Sequence, residues 1–162
     1  MNHMSASADD PAPPVEATDL AVGRAAARAA SEHFLRSLSL LTESLDLDIL
    51  PAVVLLTVMQ ANVAHLDGGR ACETYGAVAT PPPDEARRPI SVLALANGLR
   101  LPYETARRHV EKLIAAGWCA RVDGGVIVRS EKLTGPKHQE TALANLANLR
   151  RLVRDLGRIG FL

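Results

Sequence analysis

The sequence predicts a mainly α-helical chain that carries one small β-hairpin. Three observations predict it. Apolar residues recur at helical spacing over residues 20–45, 50–64 and 136–158. One short segment, Trp118 to Val128, breaks that period with two runs of strand-forming residues around Asp123-Gly124-Gly125. Aromatic residues make up only 3% of a chain that is 48% hydrophobic. The core must therefore be built from Leu, Val, Ile and Ala. At 162 residues the chain suits one domain with helical extensions. Its composition excludes collagen-like, disulfide-scaffold and wholly disordered chains.

Residues 1–18 are rich in Ser, Ala, Asp and Pro without an apolar period, and are read as a flexible tail. A helix is expected over 20–45, with Phe34, Leu38, Leu41 and Leu45 on one stripe. Asp48 is placed to cap a second helix, with Pro51 in its first turn, running to about Leu66. That helix is apolar nearly all round, so other helices or a second subunit must enclose it. Its longest apolar run, Ile49 to Met59, is too short to span a bilayer. Residues 67–89 read as a flexible loop, opened by the helix stop Asp67-Gly68-Gly69 and holding Pro81-Pro82-Pro83. Residues 19–66 and 131–162 are assigned to dimerisation and 90–130 to a separate domain.

Within 90–130 the elements tighten. Ser91 caps a short helix from Val92 to about Gly98, and Leu99-Arg100-Leu101 forms a turn. Pro102, at the first helical position, opens a helix of about fifteen residues that Gly117 ends. A strand over 118–122, a turn at Asp123-Gly124-Gly125 and a return strand over 126–128 follow. Short helix, tight turn, longer helix and hairpin, in that order, make a winged helix-turn-helix. A last helix, from about Pro136 to Arg158, carries Leu143, Leu146, Leu149, Val153 and Leu156 on one side.

The run Tyr103-Glu104-Thr105-Ala106-Arg107-Arg108-His109-Val110-Glu111-Lys112-Leu113 resembles the recognition helix of bacterial Crp/Fnr-type and GntR-type transcription regulators. Leu113 to Trp118 is similar to the end of that helix and the start of its wing. The flanking helices resemble the dimerisation helices of MarR-type regulators. Arg100 stands near the place where such families usually carry a turn glycine, and the nearest glycine is Gly98. The resemblance covers about a quarter of the chain. It implies a homodimeric transcription regulator that binds double-stranded DNA. The two cysteines without a CxxC pair fit a reducing cytoplasm, and the absence of a phosphate loop, a GxSxG or a paired-carboxylate motif leaves no catalytic residues, cofactor or membrane partner expected.

The residues support the same reading independently. Ala106, Val110, Leu113 and Ile114 form a core-facing stripe, leaving Tyr103, Glu104, Arg107, Arg108 and Lys112 outside. Arginine bonds the guanine edge bidentately and glutamate accepts from the cytosine amino group. Thr105 and Tyr103 suit phosphate contacts, which set register. Arg121 and Arg129 flank the hairpin. The expected DNA-contacting set is therefore Ser91, Arg100, Pro102, Tyr103, Glu104, Thr105, Arg107, Arg108, Lys112, Arg121 and Arg129. The plainer alternative is a solvated charged face. A protein-interaction or small-molecule-sensing module on the same scaffold is the second reading, with an apolar cavity near Met59 and His65 as its expected sign.

Charge is distributed unevenly. Residues 1–60 carry net −5, residues 61–100 balance, and residues 101–162 carry net +5, which hides inside a total of zero. Such asymmetry is a hint of nucleic-acid contact. His33, His65, His109 and His138 lack metal-ligand spacing, and Cys72 and Cys119 form no CxxC pair, so no metal site is expected.

Overall fold

The computed structural model describes residues 15–66 and 69–162. It is mainly helical with a two-stranded antiparallel hairpin. In chain order it comprises α1 (Ala17–Leu45), α2 (Ile49–Val63), α3 (Gly69–Tyr75), α4 (Val92–Leu99), α5 (Tyr103–Ala115), β1 (Cys119–Val122), β2 (Gly125–Val128) and α6 (Pro136–Arg158). Most of the expected tail, residues 1–14, and the expected stop at Asp67-Gly68 lie outside the described residues.

α1 begins three residues before the expected start. The Asp19 carboxylate accepts the Glu16 backbone N–H at 2.7 Å, half of a capping box. Asp46 ends the helix with φ 53°, a left-handed conformation that a short polar side chain tolerates. Asp48 occupies the N-cap of α2, as its spacing predicts, but its side chain makes no cap bond; its carbonyl accepts from Ala52.

The structure corrects the expected division at residue 66. α2 does not stand apart with α1. Val54, Leu55 and Val58 enter one core with Leu95 and Ala96 of α4, Val110 and Leu113 of α5, and Val126 and Val128 of β2. Lengthened by the 3₁₀ turn Ala64–Leu66, this segment spans 18 residues at mean hydropathy 1.7, long and apolar enough to cross a membrane by composition. The run judged too short is therefore longer as a helix, because Gln60 to Leu66 continue it. Its buried apolar side chains serve the core of residues 90–133.

Asn62 secures the helix end. It is fully buried, donates to the carbonyls of Arg88 (2.8 Å) and Val126 (3.1 Å), and accepts from the Val128 N–H (2.9 Å). Ile90 forms an isolated antiparallel bridge to Val126, bonding in both directions at 2.9 and 3.1 Å. A Cβ on Gly125 would stand 2.2 Å from the Ile90 carbonyl oxygen, so only glycine permits this approach. Gly125 consequently pairs with Val122 at the start of β2 and is not a turn residue.

The segment read as a flexible loop also differs. Residues 69–75 form α3, and Asp84–Ala86 form a 3₁₀ turn. Arg87 is buried and donates to the Pro82 carbonyl at 2.9 Å, while Asp84 accepts the Ser130 N–H at 2.7 Å. The first bond braces residues 82–88 internally, and the second ties them to the segment after the hairpin.

α6 matches its expected span and packs antiparallel on α1. The buried Asn148 donates to the His33 carbonyl (3.1 Å) and the Ser37 hydroxyl (2.8 Å), and Ser37 donates to Asn145.

Candidate nucleic-acid interface

α4, the turn and α5 follow from local sequence. The Ser91 hydroxyl accepts the Ala94 N–H at 3.1 Å, so Ser91 is engaged as the cap of α4. Arg100 itself takes the left-handed position, φ 53°, and its N–H reaches the carbonyls of Ala96 and Asn97. The missing turn glycine is thus replaced by an arginine in the conformation a glycine prefers. Pro102 stands at the N-cap of α5 and not at its first helical position. Gly117, φ 78°, closes α5: its N–H bonds Ile114, and the Trp118 N–H bonds Leu113, each at 2.9 Å, the paired bonds of a Schellman motif.

Ala106, Val110 and Leu113 are buried, and Ile114 packs against the same core. At 100° per residue, Arg108 then lies at the middle of the outer side. Glu104 and Glu111 flank it on one side, Lys112 and Thr105 on the other. Tyr103 and Arg107 turn toward the edge of the buried stripe, so the outer face is narrower than the sequence set implied. Tyr103 is exposed and Thr105 half-buried.

Arg107 is engaged within the helix. Its guanidinium meets Glu104 at 2.8 Å and also binds Glu111. The hydrogen bond from Arg107 holds the Glu104 carboxyl below the usual carboxylate range, and both glutamates push the Arg107 pKa up. Two carboxylates around one guanidinium leave this side of α5 without a free cation. By contrast, among the described residues Arg108, Lys112 and Arg121 have no carboxylate within ion-pair distance. Arg129, beyond the hairpin, pairs with Glu131 at 3.4 Å.

His109 was not among the expected contacts. It faces the α1–α2 junction, where Asp46, Asp48, Lys112 and Leu113 line a hollow of about 390 Å³. Its Nδ1 is buried and unbonded. Burial lowers its pKa, and the neighbouring Arg108 and Lys112 charges lower it further. His138 is lowered by burial alone. Cys119 is buried in the core and its thiol is pushed up to about 12, which removes thiolate chemistry at neutral pH.

Among the described residues no cluster of three His, Cys, Asp or Glu side chains stands ready to hold a metal ion. An apolar groove does occur, but it lies between α1 and α6, away from the expected place near Met59 and His65. The chain matches no protein-family model, no curated protein and no solved structure.

Proposed function

We propose that this chain is a homodimeric, sequence-specific DNA-binding transcription regulator built on a winged helix-turn-helix. In this reading α2, the Ile90 bridge, α4, α5 and the β1–β2 hairpin form the DNA-binding unit, α5 enters the major groove and the hairpin is the wing. One observation carries the proposal. α5 is held by a buried stripe on one side, presents Arg108 and Lys112 on the other, and is followed by a hairpin bearing Arg121, and among the described residues these three cations have no ion partner. A two-fold dimer would set two such helices about one DNA turn apart.

Arg108 is the foremost base reader in this reading, and Lys112, Arg121 and Thr105 contact phosphate. Arg100 lies on the exposed turn just ahead of α5. Fluorescence anisotropy against genomic fragments tests the proposal. Binding should weaken steeply as salt rises. Arg108→Ala should weaken binding to the selected sequence by about 1–3 kcal/mol while leaving non-selective binding largely in place. A chain that binds no fragment at low ionic strength overturns the proposal.

The Glu104–Arg107–Glu111 arrangement favours a second reading, a protein-interaction module on the same scaffold. Its acidic flank would disfavour phosphate. Capture of a stable protein partner, undisturbed by changes at Arg108, would support it.

A further inference from the structure

Beside the apolar groove, the α1–α6 pair holds another hollow, on the other side of the seam. Ser37 and Asn148, bonded at 2.8 Å, mark that seam. At 100° per residue, Arg36, Leu40 and Glu43 then fall on one side of α1, and Ala144, Ala147 and Arg151 on one side of α6. These residues line a hollow of about 390 Å³, within the size range of small-molecule sites.

The two ends of this hollow differ in charge. In the antiparallel register set by Asn148 against His33 and Ser37, Arg151 lies opposite the turn of α1 before Arg36. That is where the Arg36 guanidinium reaches back to donate to Glu32 at 2.8 Å. This bond occupies one edge of a group with five N–H donors. Arg151 is exposed and, among the described residues, has no carboxylate within ion-pair distance. Glu43 stands at the other end, roughly 10 Å further along α1, and accepts the Ser39 hydroxyl at 2.9 Å. Between the two ends the floor is apolar, made by Leu40, Ala144 and Ala147.

Asn148 also lines the hollow and is 6% exposed. Its Nδ2 donates to the His33 carbonyl and the Ser37 hydroxyl, while its Oδ1 is buried and accepts from no group among the described residues. A seam closed by the chain's own packing would meet that acceptor, because a buried oxygen left unmet costs stability. The chain therefore leaves this floor unfinished, beside a free guanidinium.

We propose that this hollow binds a small organic acid with one carboxylate and an apolar body. The carboxylate pairs with the fork of Arg151, aided by the open edge of Arg36. The body lies on Leu40, Ala144 and Ala147. Glu43 repels a second negative charge at the far end, so monoacids are preferred to diacids. The inference stands apart from the DNA-binding reading and uses none of its residues.

Ligand-detected NMR titration of the full chain at low ionic strength tests the proposal, with hexanoate and 3-phenylpropionate as probes and circular dichroism as a check on folding. For probes of about ten non-hydrogen atoms, a dissociation constant of about 1 mM or below is expected. Arg151→Gln removes the charge and Ala147→Trp fills the hollow from its exposed rim. Each should weaken binding about tenfold or more at unchanged helicity. Adipate, which is hexanoate with a second carboxylate, should bind more weakly than hexanoate, and Glu43→Gln should narrow that gap. A chain that takes up neither probe below about 10 mM overturns the proposal. Binding that either Arg151→Gln or Ala147→Trp leaves unchanged puts the acid elsewhere and overturns the assigned site. Adipate or inorganic phosphate binding as tightly as hexanoate overturns the assigned ligand class. The readout is uptake of the acid, so the outcome is decided whether or not the chain binds DNA.

Discussion

Arg100 and Asn62 are two residues whose settings depart from what their types favour. A side chain in the left-handed region costs about 1–2 kcal/mol, and Arg100 bears that cost at φ 53°. Arg100→Gly is expected to stabilise the fold by roughly 1 kcal/mol, read as a higher urea midpoint at unchanged slope. If Arg100 also contacts phosphate, the same variant binds all DNA sequences more weakly. A lower midpoint would show that the arginine side chain contributes more to the turn than its backbone strain removes. Asn62 is legible as a polar residue in an apolar helix, yet no spacing rule links it to Val128, 66 positions away. Its role depends on a meeting that the chain makes only when folded.

At the scale of elements, the well-read features are the local ones. Ser91 as a cap, Gly117 as a helix end and the Ala106–Val110–Leu113 stripe are decided within one or two helical turns, and each is found where expected. The less legible features are long-range. The Ile90 bridge is a single residue pair, too short for any period, and it turns Gly125 from a turn residue into a strand residue. The 67–89 segment looks like a loop because of its glycines and prolines, but Asp84, accepting from Ser130, and Arg88, bonded both ways to Asn62, fasten its second half to other segments. The junction of α2 with β2 hangs on Asn62. Asn62→Leu is therefore expected to destabilise by roughly 2–3 kcal/mol, since it strands the buried Val128 N–H and removes the amide donor of the Arg88 carbonyl, while the Val126 carbonyl keeps the Ile90 N–H. Hydrogen exchange should quicken first at Ile90, Val126 and Val128. A variant with a wild-type urea midpoint would mean that other groups satisfy those atoms.

At the scale of the molecule, the helices divide into two packed groups. α2, α4, α5 and the hairpin share the core, while α1 and α6 pair with each other and leave an apolar flank exposed. In the homodimer reading two copies of α5 contact DNA together, so apparent DNA affinity should fall at protein concentrations where the dimer dissociates and recover as concentration rises, read by anisotropy titrations at several protein concentrations. An affinity independent of protein concentration would count against the homodimer reading.

The sequence by itself determined the long helices, the Ser91 cap, the hairpin and the opposition of an apolar and a charged side on α5, because each follows from neighbours within a few residues. It also disclosed the acidic and basic halves that cancel in the total charge. Only the tertiary structure decided which helix an apolar stripe meets. It assigned α2 to the core, buried Asn62 against Arg88, Val126 and Val128, and left Leu143, Leu146 and Leu149 of α6 exposed. A hydrophobic period states that a face must be covered, and packing alone selects what covers it.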